Sequence, residues 1–272
     1  MTIEKTPAIV LSVTPFRETS FIAALLTRTQ GRTGAVAKGI RRSPQRGLTL
    51  ERGLLVEMVL YFKPNRDLHT AGQISVVNYF PSIRNDLGKL ALRDAAFELI
   101  LKSVTVPETN TELFDFACEF LERLEAADPA AIPLHELWRF YVGWASHLGF
   151  MLNLQECIRC GRAALVAEGG VLAIERGGFL CGACGGSATA PAFVPGKILS
   201  FLSNPSPGYE YRADGVPAAA GMRLTRLLAD YCRFHLEIRT ELKALSFLES
   251  VFFNGVPAVT ATPRPDEPRL RP

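Results

Sequence analysis

Two cysteine pairs constrain the fold of this chain more than any other feature. Cys157-Ile-Arg-Cys160 and Cys181-Gly-Ala-Cys184 are separated by twenty residues. Four thiolates in two CxxC pairs are a ligand set that tetrahedral zinc takes, with Zn–S bonds of about 2.3 Å. The spacer is long enough for a short β-hairpin and lies at the upper end of the usual spacing. The sequence therefore predicts one structural Zn²⁺ per chain, bound by Cys157, Cys160, Cys181 and Cys184.

Two other uses of paired cysteines are open at this point. Disulfide bonds belong to oxidising compartments, but only six cysteines occur in 272 residues and the N-terminus lacks the pattern of a signal peptide. A thioredoxin-like redox site has one CxxC beside a strand–helix unit, whereas this chain has two. Because four cysteines leave no coordination position for water, the predicted metal centre stabilises a loop and takes no part in catalysis.

Composition narrows the class of protein. Apolar residues make up 48% of the chain, which is ordinary for a globular protein. A length of 272 residues is enough for one or two domains with a substantial core. No apolar run reaches the roughly 18 residues that a membrane helix needs. We therefore expect a cytoplasmic protein that does not enter a membrane.

The net charge of +3 conceals an uneven distribution along the chain. Residues 1–80 contain eleven Lys and Arg against five Asp and Glu, whereas residues 81–154 contain six against eleven. A basic first region beside an acidic second region predicts that the two regions bind different partners.

Residues 1–80 have the pattern of a small β-domain. Five segments rich in Val, Ile, Leu, Phe and Thr are separated by Gly-, Pro- and Arg-rich connections: 7–13, 20–28, 33–38, 53–62 and 67–77. In the fourth segment alternate residues share one face: Leu54, Val56, Met58, Leu60 and Phe62. Five short strands of this kind predict a closed barrel of the OB type. An SH3-like barrel or a two-sheet sandwich has a similar pattern.

Basic residues of this region cluster in its predicted connections. The stretch from Lys38 to Arg46 places four cations in nine residues with no acidic residue between them. Such cations suit phosphate contacts that release counterions, and the competing interpretation is a solvated surface loop. The predicted DNA-binding residues are Arg28, Arg32, Lys38, Arg41, Arg42, Arg46 and Arg52. The candidates for base stacking are Phe16, Phe21, Tyr61 and Phe62, for which the barrel core is the commoner place.

From residue 81 the apolar residues recur at helical spacing. The predicted helices are Leu92–Leu99, Leu113–Leu124, Leu134 to about Leu152, 196–203, a long helix opened by Pro217, and Ala244–Phe253. The overall prediction is an α+β fold with an OB barrel at 1–80, followed by a helical domain at 81–256 that carries the cysteine module at 155–190. Residues 257–272 contain five prolines and three arginines, and we expect them to be disordered.

The sequence lacks motifs of catalysis. None of its four histidines stands in an HExxH pattern. Neither a GxxxxGK[ST] phosphate loop nor GxGxxG occurs, and Gly-x-Ser-x-Gly is absent as well. We therefore expect a protein that is not an enzyme. Two other classes share part of the pattern: a zinc-ribbon transcription or RNA-binding factor, and a thiol oxidoreductase that cycles CxxC dithiols.

The order of these features resembles the bacterial RecO family of recombination mediators: a basic barrel, a helical bundle, a four-cysteine insert and a closing helix. The resemblance covers nearly all of residues 1–255. The similar stretches are Ala8–Leu11, Glu18–Ser20, Thr27–Gly31, the basic Val36–Arg42, Leu148–Leu154 before the first cysteine pair, and Tyr231–Leu248 in the closing helix.

The resemblance implies a DNA-repair protein that binds single- and double-stranded DNA and anneals complementary strands. It also implies that the protein acts with RecR to help load RecA onto strands coated by single-stranded-DNA-binding protein, at the nucleoid. Some members lack the four cysteines, so not every relative needs the metal. We expect the helical region to hold the pocket for the coating protein's acidic, apolar C-terminal tail, with Arg123 and Arg139 as candidate cations.

Overall fold

The first five strands close into a barrel. The computed structural model describes residues 2–38, 49–63, 66–104, 109–128, 133–163, 168–186, 190–203 and 217–254. The strands are β1 (Thr2–Phe16), β2 (Ser20–Thr27), β3 (Gly31–Ala37), β4 (Leu55–Phe62) and β5 (Leu68–Asn78). They are ordered β1-β2-β3-β5-β4, β4 pairs back to β1, and only β3 and β5 run parallel. This arrangement confirms the predicted OB-type barrel over the two alternatives.

Two apolar cores meet along β1. Val56, Met58 and Leu60 of the predicted alternating face fill the barrel interior and are at most 1% exposed. Ile9 and Leu11 instead join the core of the helices. Ala8 and Val10 face the barrel interior instead, so consecutive residues of β1 are buried because both faces of the strand are covered. A β-bulge interrupts the pairing of β1 with β2 between Val10 and Ser12. The barrel and the helices are thus packed together along this strand.

The helical region is built from α1 (Pro81–Asn85), α2 (Leu87–Ser103), α3 (Thr111–Ala126), α4 (Leu134–His147), α6 (Gly196–Ser203), α7 (Ala218–His235) and α8 (Lys243–Asn254), with the short α5 (Gly182–Gly185) in the cysteine module. α4 carries the largest buried side chains, and its two tryptophans satisfy their indole N–H groups on Thr225 and Ser103. The prediction that α4 continues to about Leu152 is wrong: the helix ends at His147, and Gly149 follows with φ +91°.

A buried lysine fastens the start of the helical region. Lys89 is 1% exposed, and its Nζ donates to Ser82 Oγ at 2.7 Å and to the carbonyl oxygens of Glu125 and Ala127 at 3.1 and 2.6 Å. The Glu125 carboxylate in turn accepts the backbone N–H groups of Ser82 and Ile83 at 2.8 and 2.9 Å. The Lys89 cation thus lies at the C-terminal end of α3, and the Glu125 carboxylate lies at the N-terminal end of α1. These favourable contacts with the helix dipoles hold α1 against α3.

The cysteine module forms a second sheet. Its strands are β6 (Asn153–Cys157), β7 (Gly170–Ala173), β8 (Gly178–Cys181) and β9 (Phe193–Val194), ordered β6-β8-β7-β9. β7 and β8 are the hairpin expected between the two cysteine pairs. The expected disordered tail, 257–272, lies outside the described residues. Within the described ranges, each helix is too short or too polar to cross a bilayer.

Candidate metal centre and nucleic-acid interface

The four predicted ligands converge on one point. The Sγ atoms of Cys157, Cys160, Cys181 and Cys184 all lie within 4.8 Å of one another, and Cys160 Sγ is 3.7 Å from Cys181 Sγ. Tetrahedral zinc with Zn–S bonds of about 2.3 Å places its sulfurs about 3.8 Å apart. All four thiols are free of disulfide bonds. The residues present therefore fit a closed four-thiolate metal site.

The sheet of the module positions these ligands. Cys157 ends β6 and Cys181 ends β8, and because the two strands run parallel their ends meet at one edge of the sheet. After Cys157 the chain turns back, with Gly161 N–H donating to the Cys157 carbonyl at 2.8 Å. Gly161 has φ +69°, which a residue with a Cβ adopts only with strain. The turn aims Cys160 toward Cys157.

The thiols are in unequal electrostatic environments. Burial raises the pKa of Cys157, but backbone N–H groups, including that of Cys181 at 3.4 Å, outweigh it and lower the pKa to about 6. Hydrogen bonding to Cys160, followed by burial, raises the pKa of Cys184 to about 12. Four clustered thiols cannot all ionise without a cation among them, so a divalent metal would displace the protons on binding.

The centre is continuous with the helical core. Cys157 and Cys181 are buried in the same apolar cluster as the helices. His235, at the end of α7, makes a 2.8 Å hydrogen bond between its Nε2 and the carbonyl of Ile174 in the module. A metal bound here would fix the cysteine module against the helical core and α7, in keeping with a structural role.

The predicted DNA-binding residues are the four cations of the basic stretch Lys38–Arg46 and three further arginines. Lys38 directly follows β3 and is exposed, at the entry to the basic stretch. Arg41, Arg42 and Arg46 lie outside the described residues. The other three, Arg28, Arg32 and Arg52, all contact the helical region.

These contacts cross from barrel to helices. Arg28 forms a two-pronged ion pair with Asp115 of α3, with N···O distances of 3.1 and 2.9 Å. Arg32 Nε donates to the carbonyl oxygen of Val104, just after α2. The side-chain hydrogen bond to Asp115 is the main cause that raises the pKa of the exposed Arg28. Arg28 and Arg32 therefore also serve as links between the two regions.

Arg52 lies deeper at the same boundary. Its Nε is 3.3 Å from Asp94 Oδ1 of α2, and its guanidinium lies 5.6 Å from the centre of the Phe97 ring. Burial lowers the pKa of Arg52, with Arg93 adding to this effect and Asp94 opposing it. Sequence reasoning missed these partners because they stand tens of residues away and no local pattern signals them.

The aromatic candidates mostly pack on the barrel. Phe21 and Phe62 lie against its interior cluster, and the Phe62 ring centre is 4.4 Å from that of His69. Tyr61 lies over Gly72, where an added Cβ would come within 2.9 Å of its ring. Arg17 lies over the ring of Phe16 at 5.1 Å. Phe21 and Phe62 therefore pack against the barrel core, which is the commoner of the two roles considered for them.

Both candidate cations of the helical region line one cleft between α3 and α4. Its residues are Phe116, Glu119, Phe120, Arg123, Glu136, Arg139 and Phe140. Arg123 pairs with Glu119 at 2.8 Å, and the buried Arg139 lies 5.0 Å from the centre of the Phe201 ring. The Phe140 ring stacks on that of Phe116 at 5.7 Å and lies tilted against that of Phe120 at 4.6 Å, measured between ring centres. The cleft thus combines apolar rings with two cations and two carboxylates.

Comparisons with known proteins agree with this architecture. Residues 1–80 match the family described as Recombination protein O N terminal, and residues 84–244 match Recombination protein O C terminal. The chain is 32% identical over 252 residues to the DNA repair protein RecO of Anaeromyxobacter dehalogenans strain 2CP-C, covering 91% of this chain and 96% of that protein. It is 31% identical over 252 residues to RecO of Pelobacter propionicus, covering 91% and 97%.

A third relative is RecO of Caldanaerobacter subterraneus, which is 29% identical over 236 residues and covers 86% of this chain and 93% of its own. The matches run through the barrel, the helices and the cysteine module together, in the order that the structure shows. The chain therefore belongs to the RecO family.

Proposed function

We propose that this protein is a recombination mediator in DNA repair. It binds single- and double-stranded DNA, anneals complementary strands, and acts with RecR to help load RecA onto strands coated by single-stranded-DNA-binding protein. The observation that supports this most is the closed OB-type barrel with a cation-rich connection between β3 and β4, in a chain of the RecO family. Annealing needs cations that shield two approaching phosphate backbones, and no bond has to be broken.

The main phosphate-contacting residues in this proposal are Lys38, Arg41, Arg42 and Arg46. Arg28, Arg32 and Arg52 contribute further cations, and their contacts with the helical region restrict how their side chains can move. Contacts of this kind are made to phosphate oxygens, so binding is nearly independent of base sequence and weakens steeply with salt. The site acts by binding and shielding, at the nucleoid of the cytoplasm, and not as an enzyme.

The metal in this proposal is one structural Zn²⁺ held by Cys157, Cys160, Cys181 and Cys184. The separation of 3.7 Å between two of the sulfurs supports zinc, because it agrees with the spacing that its tetrahedral geometry requires. The ion supplies cross-linking of the module to the helices. All four coordination positions are filled by cysteine, which leaves none for a reactive water.

The coating protein's C-terminal tail is proposed to bind in the cleft between α3 and α4. The tail is acidic and apolar, and the cleft offers phenylalanine rings beside Arg123 and Arg139. A full-length Arg123→Ala variant should bind a labelled tail peptide more weakly than the parent. Arg226→Ala is the control, because Arg226 is an exposed arginine ion-paired with Glu249 on another helix. Equal weakening in both variants would remove the cleft from the proposal.

Strand annealing tests the function directly. Complementary oligonucleotides coated with the cognate single-stranded-DNA-binding protein are mixed with the purified protein, with and without RecR. Acceleration of duplex formation supports the proposal. A protein that binds neither single- nor double-stranded DNA at low salt, or that leaves annealing unchanged, would refute it.

A further inference from the structure

A cleft lined by arginines lies at the junction of the barrel and the helical region. Its volume is about 270 Å³, and it opens between the connection that leads into β4 and the helices α1 and α2. Arg52 and Gly53 line it from the barrel side, and Arg84 and Arg93 line it from the helices. Tyr79, which is 51% exposed, stands at its edge. A cleft of this size admits a group much larger than a water molecule.

The positive charge in this cleft is only partly neutralised. Arg93 donates two hydrogen bonds to Asp94 Oδ1 at 2.9 and 2.7 Å, and Arg52 Nε reaches toward the same oxygen at 3.3 Å. Two guanidinium groups therefore share one carboxylate oxygen. Arg52 Nε is buried and makes no hydrogen bond within the described part of the chain. With Arg84 paired to Glu51, three arginines face two carboxylates.

The backbone makes room for this arrangement. Gly53 has φ +94°, and a Cβ at this position would lie 2.7 Å from Arg93 Nη1. The glycine therefore lets the Arg93 guanidinium lie directly against the connection, where Arg93 Nη1 also donates to the Arg52 carbonyl at 3.4 Å. Guanidinium groups held side by side in this way match the oxygens of a phosphate, which accepts paired N–H bonds.

The nearness of the cleft to the basic stretch in the sequence indicates a DNA strand as its ligand. Glu51 lies five residues after Arg46, and five residues of chain span at most about 18 Å. A strand bound at the basic stretch is thus within a few nucleotides of the cleft. Arg84 and its partner Glu51 are 53% and 40% exposed, so an incoming phosphate can replace the carboxylate.

We propose that this cleft binds a phosphate group of a DNA strand, as a second contact that continues from the basic connection along the barrel–helix boundary. The proposal rests on the proposed function, since it requires a protein that binds strands. Arg84 is the accessible phosphate ligand, Arg52 and Arg93 supply fixed positive charge behind it, and Glu51 occupies the place of the phosphate when no strand is bound.

Two opposite substitutions test the cleft by fluorescence anisotropy with a labelled single-stranded oligonucleotide of mixed sequence. Arg84→Ala should weaken binding roughly fivefold to tenfold at low salt and lower the log–log salt slope by about 0.7, the value for one phosphate contact. Glu51→Gln removes the competing carboxylate and keeps every cation, so it should strengthen binding. The matched controls Arg226→Ala and Glu249→Gln break an exposed ion pair elsewhere and should leave affinity unchanged.

The outcomes separate the cleft from the function as a whole. If Arg84→Ala and Glu51→Gln bind like the parent while substitution of Lys38, Arg41 and Arg42 weakens binding, the cleft is refuted and the proposed function stands. If the parent binds no strand, both proposals fail. A titration with deoxyadenosine monophosphate tests a free nucleotide as the source of the phosphate. Saturable binding of this nucleotide that Arg84→Ala abolishes, with strand affinity unchanged, would overturn the assignment to a strand.

Discussion

The four-cysteine cluster and the predicted DNA-binding cations of the barrel differ in whether the predicted residues come together in the folded protein. In the cluster all four side chains end within 4.8 Å of one another, as their spacing predicts. On the barrel, Arg28, Arg32 and Arg52 contact the helical region, whereas Lys38, at the start of the basic stretch, is exposed. A metal site has a fixed ligand set, whereas an arginine can exchange a phosphate for a carboxylate or a carbonyl.

The largest expected effect concerns the cluster. Cys157→Ser should reduce bound zinc from about one per chain to none and destabilise the module, because structural zinc contributes on the order of 10 kcal/mol of apparent binding free energy. Elemental analysis measures the metal, and hydrogen exchange should show faster exchange across β6 to β9. Cys118→Ala is the control, since Cys118 lies in α3 outside the cluster. Zinc-free parent protein purified under reducing conditions would contradict the assignment.

The second effect concerns the cations of the basic stretch Lys38–Arg46. Replacing Lys38, Arg41 and Arg42 by alanine should lower the log–log salt slope of single-stranded DNA binding by roughly two to three units, at about 0.7 to 0.9 per phosphate contact. The free energy of unfolding should change by less than about 0.5 kcal/mol, the usual range for substitutions at the protein surface, if these cations contact DNA and not the core. Anisotropy titrations across a salt series measure the slope. A folded variant with the parent's slope would show that this stretch only solvates the barrel.

The third effect distinguishes a linking arginine from a DNA-binding one. Arg32→Ala should destabilise the protein by about 1 kcal/mol, because the Val104 carbonyl loses its donor. Its salt slope should change less than that of the triple variant. Urea denaturation measures the stability, and Lys5→Ala is the control because the pair of Lys5 with Glu57 is exposed. If Arg32→Ala left stability unchanged and lowered the slope by a full contact, Arg32 would be a phosphate-contacting residue like those of the basic stretch.

The smallest effect is a pH dependence within the barrel. His69 is 2% exposed and its Nδ1 accepts the Lys63 N–H at 3.2 Å. Burial lowers the pKa of His69 below 6.5, and Asp67 opposes the shift. Because the fold favours the neutral form, this contribution to stability is present above pH 6.5 and is lost as pH falls through the folded-state pKa.

Denaturation at a series of pH values checks this prediction. His69→Gln, which does not titrate, should have a flatter profile than the parent between pH 7 and pH 5. Parallel profiles of the two proteins would show that His69 does not cause the dependence. Zinc content is measured in the same samples, because protonation of the cysteines also releases metal at low pH.

The alternation of Leu54 to Phe62 and the helical stripes of α3, α4 and α7 could be read from the sequence because each is a local pattern with one buried face. The cysteine spacing is equally local, and it correctly predicted both the cluster and the hairpin of β7 and β8. The bulge in β1, the early end of α4 and the buried Lys89 were not predictable, because each depends on partners far along the chain.

The sequence by itself determined the four-cysteine cluster, the five strands, most of the helices and the uneven charge. Tertiary structure alone decided that β4 closes on β1, that Arg123 and Arg139 share one cleft, and that Arg52 and Arg93 share Asp94. The physical reason is the distance along the chain over which each effect acts. Periodicity and ligand spacing act within a few turns of chain, whereas the partner of a charged side chain is chosen among all groups that packing brings within about 4 Å.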